Sequence, residues 1–262
     1  MRALHTAATG MMAQELNVQV ISNNIANMRT TGYKRQRAEF QDLLYEHVRS
    51  VGTQTSDQGN ILPAGIELGG GVKTVGTPRV MSQGNILPTQ KDYDVAIRGN
   101  GFFKILLPDG RTAYTRDGSF QLDAQGRLVT AQGYVVQPGL TVPQNATSIT
   151  INQQGQLSVS VPGSTTQTQV GQIELTAFVN KAGLQAIGDN LYLETPASGA
   201  PQNGTPGNEG FGSLLQGNLE QANVEAVTEI SDLIAAQRAY EMNAKVITAA
   251  DQMLSATSNL MR

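Results

Sequence analysis

The sequence predicts an α+β protein: long N- and C-terminal helices packed as a coiled-coil-like pair, with an inserted antiparallel β domain and an extended β connector. Three observations carry that expectation. The stretch from Asn223 to Arg262 contains neither Gly nor Pro, in a chain with 28 Gly among 262 residues. Both ends repeat apolar or small residues in alternating steps of four and three, the period that keeps one helix face against a neighbour. The middle reads instead as short alternating segments separated by turn residues, with no helical period.

The first helix is expected from about Ala3 to about Met28. Ala7, Met11, Val18, Ile21, Ile25 and Met28 hold one face, and Gln14 fills the gap in the series. Gly32 can take the left-handed conformation that ends helices. Asn23, Asn24 and Asn27 crowd the last turns, where Asn is a mediocre helix former. Side-chain hydrogen bonds to a neighbouring segment explain that cluster better than propensity does; a frayed, solvated end is the alternative. Thr31-Gly32-Tyr33-Lys34-Arg35 then turns into Phe40, Leu43 and Leu44, a short helix or an extended arm.

Val48 to Val80 is rich in Gly, Thr and Gln and reads as an extended connector with a few short strands. Gln58-Gly59-Asn60-Ile61-Leu62-Pro63 recurs word for word as Gln83-Gly84-Asn85-Ile86-Leu87-Pro88. Two copies are too few for a solenoid. They read as two similar β-arms, each anchored by an Ile-Leu pair.

From Asp94 to Glu194 the pattern is β throughout. Phe102 to Leu107, the turn Pro108-Asp109-Gly110 and Arg111 to Thr115 make one hairpin. Ile149 to Asn152 and Leu157 to Val161 make another across Gln153-Gln154-Gly155, Ile173 to Val179 alternates, and Leu191-Tyr192-Leu193 closes the set. Short strands with no intervening helix imply antiparallel pairing. Pro196 to Gly212 is a linker. Asn223 is expected to cap the terminal helix, with Glu225 in its first turn. That helix carries Ala226, Ile230, Leu233, Tyr240, Ala244, Ile247, Leu254 and Met261 on one face, with polar Gln237, Asp251 and Ser258 completing the series. The expected division is 1–33 with 222–262 as a helical assembly domain, 34–93 with 196–221 as a connector, and 94–195 as an outer β domain.

Composition excludes much chemistry. A formal charge of −3 provides no basic field for nucleic acid. Without Cys there are no disulfides, thiolate metal sites or Cys nucleophiles. Met1 to Asn23 offers polar residues where a secretory leader needs an apolar run, so none is expected. Gly99-Asn100-Gly101 lacks the third glycine of a dinucleotide loop, and no helix follows. Asp92 and Asp94 read as a solvated turn rather than paired acid/base carboxylates. His5 and His47 have no partners at motif spacing. No catalytic, cofactor-binding or metal-ligating residue is assigned.

The terminal helices give the sharper inference. At ~1.5 Å per residue the last segment makes a rod of about 57 Å. A narrow apolar stripe buried against one partner does not offset an ordering cost of ~1–2 kcal/mol per residue. Ala235, Ala236, Ala239, Ala249 and Ala250 allow close approach on more than one side. Subunit packing is therefore assigned to Ala7, Met11, Val18, Ile21, Ile25 and Met28, and to Ile230, Leu233, Gln237, Tyr240, Ala244, Ile247 and Leu254. The termini are expected to be loose in a monomer and to order in a homo-oligomer.

Asn23-Asn24-Ile25-Ala26-Asn27 followed by Thr31-Gly32-Tyr33-Lys34 resembles the N-terminal signature of bacterial flagellar rod and hook axial proteins. Ala236-Gln237-Arg238-Ala239-Tyr240-Glu241-Met242 resembles their C-terminal signature, and Ala96 to Phe103 and Tyr114 to Phe120 resemble their central β motifs. The motif residues carried over are Asn23, Asn24, Asn27, Gly32, Tyr33, Lys34, Gln237, Arg238 and Tyr240. Ala8 to Gln14 and the length are most similar to the distal rod group. The resemblance implies a helical polymer crossing the periplasm, with terminal helices in coaxial inner layers and the β domain outside. It implies export through the flagellar type III apparatus, and contact with proximal rod and hook proteins or their adaptors and with surrounding ring proteins. The connector from Val48 to Val80 is similar to the segment that adds contacts between neighbouring distal rod subunits. A proximal rod or hook protein is the nearest rival. A secreted β-rich carbohydrate-binding protein is the rival of another class, and the absence of Trp argues against it.

Overall fold

The structure is a computed structural model that describes residues 2–49, 51, 64–162 and 167–260. The first copy of the hexapeptide repeat, Met261 and the side chain of Ser258 lie outside the described residues. Packing divides the chain into two units. One holds residues 1–25, 36–78 and 225–262; the other holds residues 26–35 and 79–224.

The first unit contains helix α1 (Arg2–Ala26) and helix α2 (Ala226–Leu260). Among the described residues it also contains four short strands. Strand β1 (Glu39–Asp42) pairs antiparallel with β4 (Val72–Gly76), and β2 (Tyr45–Arg49) with β3 (Ile66–Gly69). Phe40 thus lies in a strand, and the extended arm, not the short helix, is what forms. Every residue of β2 and β3 is exposed. The two helices run antiparallel: the Asn24 amide donates to the buried Glu229 carboxylate at 3.1 Å. Fourteen residues earlier, Gly10 faces Asn243 so closely that a Cβ would stand 2.9 Å from its Nδ2.

The coiled-coil-like pair is corrected by these contacts. A coiled coil seats large apolar knobs in facing holes along both helices. Here α1 buries Ala7, Ala13, Val20, Ile21 and Asn24, while α2 buries Glu229, Ala236 and Ala250. Small residues and one polar pair bring the backbones too close for large knobs, and Ile230, Ile234, Tyr240, Val246 and Leu254 stand exposed. The observed class is α+β, with two terminal helices and several separate antiparallel sheets between them. Asn223 likewise does not cap α2. It precedes the first helical residue by three positions, and its side chain accepts from Arg35 N and donates to the carbonyls of Val80 and Ser82.

In the second unit, β5 (Ile86–Pro88) pairs with Asn218–Glu220 and β6 (Val95–Arg98) with Ser213–Gln216. The largest sheet is built around β7 (Phe102–Leu106). Strand β8 (Thr112–Thr115) runs along one edge of β7, while Val135–Val136 and Leu175–Ala177 share the other. The β7–β8 turn matches its sequence: Gly110 takes φ 81°, and its N–H donates to Leu107 O. The other expected hairpin forms between Ser148–Ile151 and Gln156–Ser160.

Both faces of the large sheet are covered. Phe103, Ile105, Leu128, Leu157, Ile173 and Leu175 fill one core cluster; Phe102, Tyr114, Phe178 and Tyr192 fill a second. Each fully buried side chain of this size contributes about 1.5–3 kcal/mol. Two-sided burial explains why the alternation expected over Ile173 to Val179 fails. Thr176 and Phe178 are buried as well as Leu175, and only Leu175–Ala177 is strand.

Candidate functional site

Three residues distant in sequence meet in the second unit. Lys34 Nζ lies 2.6 Å from Glu220 Oε1, and Arg116 Nε lies 3.3 Å from Glu220 Oε2, with all three side chains at most 5% exposed. Lys34 also donates to Ser82 O at 2.7 Å. Gly84 N donates to the same Glu220 oxygen at 2.9 Å. Arg116 spends its other nitrogens on the carbonyls of Gly101 and Gly99. Those carbonyls face it because Gly99 and Gly101 hold φ of 111° and 134°, which other residues rarely adopt. Burial is the main influence lowering the Lys34 ammonium pKa, opposed by the Glu220 carboxylate. Burial likewise lowers Arg116. Two buried cations sharing one carboxylate are held by fixed carbonyl dipoles, an arrangement suited to a rigid joint.

Gly32 N donates to Glu220 O at 2.8 Å, beside the Lys34 contact. Tyr33 and Lys34 are both buried. Arg79 lies over the Tyr192 ring at 5.7 Å, and Arg116 over Phe102 at 5.8 Å, tying the cluster to the second core. Within that core, burial first and the Glu194 carboxylate second push the Tyr114 phenol up to about 12. A phenol raised in the folded state favours folding fully below its unfolded value of ~10, and that contribution is lost as pH rises toward the folded value. Tyr114→Phe is therefore expected to remove part of the loss of stability between pH 9 and pH 11, as read by urea unfolding at both values.

In the first unit, Asn24 acts as a substitute backbone. Its amide donates to Gln36 O and its oxygen accepts from Gln36 N, each at 2.9 Å, while it also reaches Glu229. Asn24→Ala is expected to lower stability by about 1–3 kcal/mol, because buried partners lose their hydrogen bonds; urea unfolding monitored by helical circular dichroism measures it.

The residues assigned to subunit packing fall into two groups. Ala7 and Ile21 are buried within the chain, and Met11, Val18, Ile25, Leu233, Ala244 and Ile247 are half-buried. Met28, Ile230, Gln237, Tyr240 and Leu254 are exposed, as are Asn23 and Arg238, and Asn27 is half-buried. The row of α2 that packs inward is Glu229, Ala236, Asn243 and Ala250, spaced by seven. The opposite arc leaves Val227, Ile230, Ile234, Met242, Val246 and Met253 uncovered, each 47–73% exposed. Sequence reasoning missed Glu220 and Glu229. Neither stands at a motif spacing; a lone acidic residue in an otherwise apolar or turn context was the one available signal.

Family models match three stretches: flagella basal body rod protein over residues 4–34, flagellar hook protein FlgE/F/G D1 domain over 96–159, and flagellar basal body rod FlgEFG protein C-terminal over 215–260. Lys34, Arg116 and Glu220 come one from each. The flagellar basal-body rod protein FlgG of Caulobacter vibrioides is 58% identical over 260 residues, 99% of both chains. The chain belongs to the FlgG family of flagellar basal-body rod proteins. The FlgG of Agrobacterium fabrum is 49% identical over the full length of both chains. A flagellar hook protein FlgE of Helicobacter pylori matches at 43% over 139 residues, only 19% of its length, which sets the hook reading aside. As an FlgG family member the chain is a structural subunit of the basal-body rod, polymerising within the flagellar axial structure, and not an enzyme.

Proposed function

We propose that the chain is a distal rod subunit that self-assembles into a hollow helical drive shaft, carrying torque from motor to hook and passing exported subunits through its centre. The uncovered apolar arc of α2 supports this reading above all. Six large apolar side chains along one helix face call for further helices to cover them. Residues 1–33 and 222–262 form the assembly domain, 34–93 and 196–221 the connector, and 94–195 the outer domain. The packing residues act between copies, with C-terminal helices nearest the channel. The subunit leaves the cell interior through the flagellar type III apparatus and joins a rod spanning the periplasm. There it contacts proximal rod and hook proteins or their adaptors, and turns within the ring proteins.

Sedimentation of the purified chain over a concentration series, with electron microscopy of the pellet, tests the reading. Concentration-dependent tubes are expected. A chain that stays monomeric throughout rules the reading out. Limited proteolysis of the monomer is expected to trim the terminal helices first.

A further inference from the structure

A cleft of the second unit, at the start of β6, holds a carboxylate with nothing to neutralise it. Asp94 reads from the sequence as part of a solvated turn, yet only 4% of it is exposed. Its main chain is fixed on both sides: its N–H donates to Lys91 O at 3.2 Å, and its carbonyl accepts from Gly217 N at 2.7 Å. It also bridges to Ser119, beside Gly118, where a Cβ would stand 1.7 Å from Val95 O. The backbone that carries Asp94 is therefore held in place, with its polar groups spent. Among the described residues, no donor reaches the Asp94 carboxylate and no cation pairs with it. A second carboxylate adds to the negative charge. Burial raises the pKa of Asp117, hydrogen bonds from Ser119 oppose that rise, and the Asp94 charge adds a smaller push upward.

Asp94 lines a cleft of about 550 Å³, within the size range of ligand sites. Half-buried Tyr93 and buried Phe120 line it too, while Lys91 and Asp92 stand exposed at its edge. A buried charge without a partner costs free energy that a bound cation recovers. A metal ion fits poorly: calcium takes about six to eight oxygen ligands, and no group of three His, Asp or Glu among the described residues could hold an ion. A sugar would bring donors but leave the charge standing. A guanidinium brings charge, a planar set of donors, weak hydration and a preference for aromatic faces. We propose that this cleft receives an arginine side chain of a partner protein, its guanidinium donating to Asp94 and lying against Tyr93. The site is complete within one chain and does not depend on the polymeric reading.

Titration of the monomeric full-length chain with the blocked tripeptide Gly-Arg-Gly, followed by two-dimensional NMR, tests the proposal. Saturable shifts at Tyr93, Asp94 and Ser119 are expected. Asp94→Asn is expected to weaken binding about tenfold or more. The same substitution should leave the urea midpoint at or above that of the wild type, because the carboxylate gives up no partner in the free chain. Tyr93→Leu, which keeps the charge, is expected to weaken binding severalfold. Four results overturn the proposal: no saturable shift, equal binding of Gly-Lys-Gly, tighter binding of maltotriose, or a loss of stability in Asp94→Asn.

Discussion

Glu220→Gln is expected to lower the free energy of unfolding by about 3–5 kcal/mol, the range for removing one partner of a buried ion pair. The substitution keeps the shape of the side chain and an acceptor for Gly84 N. What it removes is the carboxylate charge that Lys34 and Arg116 share in a site almost closed to water. Lys34→Met is expected to cost less, about 1–2 kcal/mol. It deletes a cation whose charge burial already disfavours, and leaves Arg116 facing Glu220. Urea unfolding of the three proteins decides the matter: equal losses for both variants would show that the charges do not act as a shared cluster.

Ile234→Asp combined with Val246→Asp is expected to abolish assembly while sparing the monomer. Both side chains are 47% exposed, so the monomer should lose about 1 kcal/mol or less. In a polymer that covers this arc, each carboxylate is carried into an apolar interface without a partner, at a cost of several kcal/mol per ion. A loss of about 2.8 kcal/mol already raises the critical concentration a hundredfold. Sedimentation supplies the readout and circular dichroism the check on folding. Tubes forming at the wild-type concentration would place this arc outside the subunit contacts.

Local chemistry made much of the fold legible. The Pro108-Asp109-Gly110 turn announced its hairpin, and the run without Gly or Pro announced α2. The asparagine cluster points to side-chain hydrogen bonding with a neighbour, and Asn24 bridges to Gln36 and Glu229. In the sequence, large apolar residues mark the most attractive stripe for the helix contact. Within one chain, however, Gly10 and the alanines permit a closer approach, which rotates α2 by one position and leaves Ile230, Tyr240 and Leu254 outside. The ion cluster was invisible for another reason. Its three members lie far apart in sequence, and only the folded sheet brings Arg116 and Glu220 to Lys34.

The contacts around Glu220 also decide how the second unit would respond to force. Gly32–Arg35, where the chain first leaves this unit, and Glu220–Asn223, where it leaves for the last time, are laced side by side by Gly32 N to Glu220 O, Lys34 to Glu220, and Arg35 N to Asn223 Oδ1. The two stretches run in parallel register, so tension drawn toward residue 26 on one and toward residue 224 on the other loads these bonds together, in shear, before it reaches the strands around β7. In single-molecule pulling of this unit between those two points, a single abrupt rupture is expected instead of a gradual low-force opening.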